Sequence, residues 1–361
     1  MGVPARKPAN HQKTISGMPS RPFLIKDIAT QADVSEATVD RVLNARAGVR
    51  PHMVRRVRQA LQELERQRDQ VGGVGRKYVI DVVMETPERF STATRVALEA
   101  EMTTLRPALF RARYQVAESF PIPALVRALD RIASRGSHGV LLKAPDDADV
   151  TAAIDRLVRR GIPVITLVTD VPASRRLAYV GMDNLAAGAT AAYLIGQWLP
   201  REPAAVLVSL SSRRFQGEEL RENGFRTLLA RDHRHLRIET TAEGLGVHDA
   251  TLERVTDCLR RGPDIVAVYS TGGANPAILE AFARRGRPCR AFIGHDLDQD
   301  NRRLLRERRL SAVLHHDLRY DLRGACQRLI AAHDRRGAPE AAGLSAVQIV
   351  TPFNLPSLPS D

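Results

Sequence analysis

The sequence is poor in several features that would each point to a particular class of function. Only three of its 361 residues are cysteine, Cys258, Cys289 and Cys326, and no two of them form a CxxC pair. That disfavours a disulfide framework or a zinc ribbon, and the three read as small buried hydrophobes. Long apolar runs are absent too: each breaks within about ten residues, far short of the ~20 needed to cross a bilayer, so no membrane partner is expected. The opening stretch MGVPARKPANHQKTISGMPSRP is positive but has no apolar core. It reads as a disordered basic arm over residues 1–21 rather than a secretory signal, and a cytoplasmic location is expected. Catalytic signatures are missing as well: there is no HExxH, no GxSxG, no Walker loop and no strand-linked GxGxxG. No catalytic residue, metal or cofactor is therefore expected.

What remains is a globular chain, 43% hydrophobic and 26% charged, long enough for two or three domains. Its net charge of +13 is unevenly spread. Residues 1–77 hold fifteen Lys or Arg against seven Asp or Glu, so +8 of the total falls in about a fifth of the chain. A localised excess of this kind attracts a polyanion, nucleic acid first and an anionic membrane surface second, although a merely solvated basic face has the same composition. Only five of the 54 basic residues are lysine. That skew runs along the whole chain and reads as compositional.

After Pro22, apolar residues recur at helical spacing in three short groups: Ile25, Ile28 and Ala29; Val39, Val42 and Leu43; Val54, Val57, Leu61 and Leu64. Ala32-Asp33-Val34-Ser35 makes a tight turn between the first two, with Ser35 placed to cap the second helix. Pro51 suits the first turn of the third. Two helices joined this closely predict a helix-turn-helix over residues 22–67, whose second helix enters the major groove of double-stranded DNA.

From Tyr78 onward, short apolar runs alternate with longer helix-like segments: 78–84, 113–117, 138–143, 163–168, 178–182, 204–209, 236–241, 264–269, 290–294 and 311–315. The pattern predicts an α/β region over 78–361 made of two doubly wound parallel-sheet lobes, with a ligand cleft at the carboxyl ends of the strands. Between headpiece and lobes, Arg68 to Lys77 carries three glycines in four positions, which disfavours a helix and favours a linker. His295-Asp296 and His315-His316-Asp317 have the residue types of a metal or acid–base site. Adjacent strand residues point to opposite faces, however, so His315 and His316 are poorly placed to share one ion.

The runs Ile25-Lys26-Asp27-Ile28-Ala29 and Val34 to Asn44 closely resemble the headpiece of the lac-repressor (LacI/GalR) family of bacterial transcription regulators. The resemblance implies base contacts from Glu36, Ala37 and Arg41, with Ser35, Thr38 and Asn44 touching phosphates or positioning the helix. Arginine is the commonest reader of guanine, glutamate can accept from cytosine N4, and alanine offers only a methyl contact. Asp40 stands where the family usually has serine, so an ion pair with Arg41 or another nearby arginine is expected. The family's usual hinge, with its minor-groove leucine, is replaced here by the glycine-rich stretch, so Val71 or Val74 is at most a weak wedge.

Residues 78–361 are similar to the type I periplasmic-binding fold that this family carries as its effector domain. Gly161 to Ile165, Tyr179 to Asn184 with Gly188, Arg221-Glu222-Asn223-Gly224-Phe225, Gly294-His295-Asp296 and Thr351 to Leu355 carry the likeness. It implies that Arg221 and Asp296 grip the hydroxyls of a small carbohydrate or polyol. A buried ion pair between the lobes is the structural alternative for these two. Phe90, Asp170, Asn275 and His316 are further candidates to contact this ligand, each with an ordinary core, turn or capping role as its alternative. The expected function is a homodimeric, sequence-specific DNA-binding regulator, a repressor on a palindromic operator, whose affinity changes with the bound ligand. The alternatives are a sugar-binding protein without working DNA binding and, behind it, an α/β enzyme.

Overall fold

Apolar stripes at helical spacing in the first segment, and apolar runs separated by amphipathic segments in the second, produce two different architectures in the computed structural model. It describes residues 23–71, 75–241, 243–244, 246–262, 264–334 and 344–356, with only the backbone of 63–71. The basic arm 1–21, the side chain of Leu64 and the wedge candidates Val71 (side chain) and Val74 lie outside the described residues. Two compact units divide at Gly75 and Arg76.

The first unit holds helices α1 (Ile25–Ala32), α2 (Glu36–Leu43) and α3 (Pro51–Val71). Ile28, Ala29, Val39 and Val57 are buried together, with Ile25, Val42, Leu43 and Leu61 packed around them. The spacing thus turns one apolar face of each helix into a shared core. Asp33 closes α1 in the left-handed region, which lets the chain turn at once into α2. The third helix continues through Arg68–Val71, read from the sequence as linker. Gln, Glu, Leu and Arg favour helix, so the turn pattern runs on to the glycines.

The second unit begins with β1 (Lys77–Glu85), α4 (Glu88–Met102), β2 (Leu109–Ala117), α5 (Ile122–Arg135), β3 (Gly139–Lys143), α6 (Ala148–Arg159), β4 (Val164–Leu167) and β5 (Ala178–Val180). The five strands form a parallel sheet in the order β2-β1-β3-β4-β5. The chain then crosses into a second lobe. There it forms α7 (Asn184–Trp198), β6 (Ala204–Ser209), α8 (Gln216–Asp232), β7 (Leu236–Thr240), α9 (His248–Arg261), β8 (Ile265–Ser270), α10 (Asn275–Arg284), β9 (Ala291–His295), α11 (Gln299–Arg306) and β10 (Ala312–His315). It returns to the first lobe as α12 (Leu318–Asp334) and ends as β11 (Gln348–Val350), antiparallel to β10 at the edge of the order β11-β10-β9-β8-β6-β7.

Both sheets are covered on two faces, so their strands are nearly continuous hydrophobic runs; Val164–Leu167 is buried throughout. On the second lobe α7 and α8 pack backbone to backbone. A Cβ on Gly188 would stand 1.9 Å from the carbonyl oxygen of Arg221, and one on Gly224 2.1 Å from that of Leu185. Those glycines set how deeply α8 sits, and α8 carries Arg221.

Candidate functional sites

In the first unit, the site is the outer face of α2. Ser35 caps the helix, its hydroxyl accepting from the Thr38 N–H at 3.2 Å. With Val39 fully buried, helical geometry turns Glu36, Ala37 and Arg41 outward, and all three are exposed. Arg41 makes no ion pair among the described residues. Asp40 does: it accepts from Asn44 Nδ2 at 2.7 Å and pairs with Arg46 at 3.2 Å. The nearby arginine that neutralises Asp40 is therefore Arg46, and Arg41 stays available. Thr38 is half-buried, its hydroxyl 2.9 Å from that of Ser35.

In the second unit, a cavity of about 500 Å³ opens between the lobes at the carboxyl ends of their strands, within the range of ~300–1,000 Å³ usual for small-molecule sites. Phe90, Arg221 and Asp296 line it. Arg221 is buried and pre-set: its Nε donates to Asn184 Oδ1 at 2.8 Å and its Nη1 to the Thr271 carbonyl at 2.9 Å. Asn184 is itself held, donating to the Val168 carbonyl and to the Tyr179 hydroxyl. The Tyr179-to-Asn184 motif thus works through Arg221, fixing a cation that has no carboxylate partner among the described residues. Asp296 Oδ1 is buried and has no hydrogen-bond partner among the described residues. Val168 and Asp296, both lining the cavity after β4 and β9, have left-handed backbones at φ 66° and 64°. Such conformations are costly for non-glycine residues and cluster at binding sites.

Three expected ligand residues are not in the cavity wall. Asp170 accepts from Thr166 Oγ1 and the Val171 N–H and pairs with Arg176, so it organises the turn after β4, while Val168 and Thr169 face the cavity. Asn275 is buried beneath the glycine turn and donates to Asn301 Oδ1 at 2.7 Å. His316 is buried behind Asp296, bonded to Asp321.

The cavity also gathers charges that no motif announced. Arg89 pairs with Asp298 at 2.9 Å and Arg214 with Glu85 at 2.9 Å, both across the lobes. Burial pushes both carboxyls up, and the facing arginines oppose this. Glu218 accepts from the Ser211 and Ser212 N–H groups and from both the Ser211 and Thr271 hydroxyls. Lys143 is half-buried against the Phe215 ring of the opposite lobe, its ammonium 4.3 Å from the ring centroid, and donates to the Glu85 carbonyl. Burial brings its ammonium down to about 8, against the pull of Glu218, Asp296 and Glu85. A signal was present: Lys143 is the only lysine after residue 77. His295 also lines the cavity, with Nε2 2.8 Å from the Tyr269 hydroxyl. Burial, then Arg221 and His316, hold it well below the ordinary histidine value.

Among the described residues no helix is long and apolar enough to cross a membrane, and no cluster of three or more metal-ligating side chains occurs. No curated protein matches the sequence. Among solved structures, the chain is similar to a glucose-galactose binding protein from Geobacillus stearothermophilus at 21% identity and a TM-score of 0.69, covering 78% of this chain and 99% of that one. It is similar to a candidate LacI transcriptional regulator from Bacteroides fragilis at 17% identity and 0.70, covering 78% and 98%. A periplasmic solute binding protein of an ABC transporter from Actinobacillus succinogenes, with bound D-allose, is similar at 16% and 0.68, covering 77% and 98%. These likenesses establish the α/β periplasmic-binding fold. By sequence, residues 82–320 match the periplasmic binding protein domain and residues 24–68 match the bacterial regulatory proteins of the lacI family. The chain belongs to the periplasmic binding protein domain family and carries a lacI-family headpiece, which makes it a ligand-responsive DNA-binding regulator.

Proposed function

We propose that this regulator is a dimeric, cytoplasmic repressor that reads a palindromic operator and senses a small, uncharged carbohydrate or polyol in the cleft. The observation that carries the reading of the ligand is the mixture of cationic donors and carboxylate acceptors in the cavity. Set aside the two ion pairs across the lobes: Lys143 and Arg221 remain as donors, Glu118, Glu218 and Asp296 as acceptors. Fixed donors beside fixed acceptors suit vicinal hydroxyls, and the lining leaves no excess of positive charge for an acidic ligand to neutralise. Phe90 offers an apolar face for a sugar ring. Glucose, galactose and allose are the sugars of the neighbours described above, which supports the class.

On the DNA side Arg41, Glu36 and Ala37 read base edges in the major groove, while Ser35, Thr38 and Asn44 contact phosphates. Two headpieces are required because one short helix reads only a few base pairs, so the dimer and the palindrome come together. On this reading the cleft binds and does not catalyse, both matched families being regulatory or ligand-binding.

Two measurements test the reading. Selection of duplexes from a random pool by the full chain is expected to return an inverted repeat, and recovery of unrelated sequences would refute sequence-specific reading. Thermal melting with glucose, galactose, allose, arabinose or fructose in excess is expected to rise for at least one sugar. Stabilisation only by sugar acids or sugar phosphates would overturn the uncharged ligand.

A further inference from the structure

Three crossovers join the lobes, and they meet beside His316. The first is Gly181-Met182, the second His316-Asp317, and the third reaches Ser345, whose N–H donates to the Gly181 carbonyl at 2.9 Å and which pairs with Met182. The Ser345 hydroxyl lies 3.4 Å from Asp321 Oδ2, and that carboxylate, on the first-lobe helix α12, also holds His316 Nδ1. On its other side His316 presents Nε2 to Asp296 Oδ1 at 3.8 Å. Asp296 belongs to the second lobe and lines the cavity. Its carbonyl accepts from Asn301 Nδ2 at 2.7 Å, and its N–H donates to the Leu314 carbonyl. With the backbone fixed on both sides, the freedom left to Asp296 is the rotation of its carboxylate.

We propose that His316 is a positioning residue, which, held by Asp321 at the hinge, sets the carboxylate of Asp296 for a ligand hydroxyl and so braces the ligand contact of one lobe against a helix of the other. The proposal rests on the cleft being a carbohydrate site. At 3.8 Å the Nε2 edge lies beyond hydrogen-bond distance of Asp296 Oδ1, so the ring confines that carboxylate by packing and by its dipole, while its Nδ1 is bonded to Asp321.

The other titratable groups around His316 do not substitute for it. His315, the last residue of β10, is brought to about 4, by burial first and then by His316. His295, on β9, is held well below its ordinary value and is engaged with Tyr269. Arg221, on α8, acts on His295 and is bonded to Asn184 and Thr271. Besides Asp296 and Asp321, the neighbouring titratable groups are Lys143 and Asp298, which act on Asp296, Tyr179, which faces Asp321, and Asp317 and Arg302, which act on His315.

The test uses the full chain and calorimetric titration with glucose, galactose, allose, arabinose and fructose, in wild type, His316→Ala and His316→Gln. For the sugar that wild type binds most tightly, His316→Ala is expected to weaken binding about tenfold. His316→Gln, which keeps an N–H within reach of Asp296, is expected to recover most of that loss. Equal affinity in wild type and His316→Ala would overturn the positioning role while leaving the carbohydrate reading intact. Should none of the five sugars bind wild type, the carbohydrate reading fails and this proposal with it. If His316→Ala does not fold, His316→Phe, which fills the same space without an N–H, takes its place in the titration, and affinity equal to wild type overturns the role.

Discussion

Arg41 and Arg221 show the same guanidinium used in opposite ways. Arg41 stands exposed on the outer face of an eight-residue helix and pairs with no acid among the described residues, its neighbour Asp40 being occupied by Asn44 and Arg46. Arg221 is 4% exposed, locked by Asn184 and Thr271, on a helix whose depth is set by glycine contacts. DNA is large and rigid and carries its own array of acceptors, so the protein need only present a cation on a stable helix. A small hydroxylated ligand has few atoms, and the side chains that bind it must be ordered beforehand or their ordering subtracts from affinity.

Substitutions that exchange these two conditions break the contrast. The largest effect is expected for Gly188→Val, which forces α7 from α8. Overpacking costs about 1–3 kcal/mol and sometimes more, and denaturant unfolding is expected to show at least that loss together with loss of sugar binding. An unchanged midpoint would mean that the helices shift without cost. Arg221→Ala removes a buried, hydrogen-bonded cation, and truncations of that kind cost roughly 2–5 kcal/mol. Calorimetry is expected to show sugar binding lost to that extent while operator affinity stays within a factor of about two.

For Arg41→Ala the expected loss at the operator is about 1–3 kcal/mol, with relaxed base preference at one position of a repeated selection; retained preference would remove Arg41 from the readers. Lys143→Met tests the buried ammonium. Its folded value, about 8, lies below the ordinary 10.5, so between those values the unfolded chain binds more protons and stability rises with pH. Wild type is therefore expected to gain stability across that window relative to Lys143→Met in paired urea titrations. Parallel curves would show that the ammonium is solvated after all. The smallest effect is expected for Asp40→Ser, an exposed pair worth about 0–1 kcal/mol. Removing the acid is expected to tighten binding to any duplex slightly, read as a uniform shift in fluorescence anisotropy.

Most of the fold was legible because its signals are local. A parallel strand covered on both faces is an apolar run, and every such run from Tyr78 to His315 became a strand. The three-residue β11 was missed because Gln348-Ile349-Val350 is too short for a period and two of its residues are exposed. The headpiece was equally readable, since capping and amphipathic spacing operate within one turn or two. The cavity was only partly readable. Arg221 and Asp296 sit in recognisable motifs, but the Arg214–Glu85 pair joins residues 129 apart, and nothing in either local sequence marks the other. Asp170 misled because a carboxylate just past a strand serves a turn as readily as a cleft. His316 misled by one layer, its ring lying behind the carboxylate that reaches the cavity.

The central claim is that occupancy of the cleft changes DNA affinity, and one titration addresses it directly. Fluorescence anisotropy of the full chain on the selected inverted repeat would be recorded with and without the sugar that raises the melting temperature, at fixed salt. A coupling of about 1–3 kcal/mol, a change of roughly 5- to 150-fold in operator affinity, is predicted, and it should vanish in Arg221→Ala. Identical operator affinity at saturating sugar would contradict the account and leave two binding activities on one chain with no coupling between them.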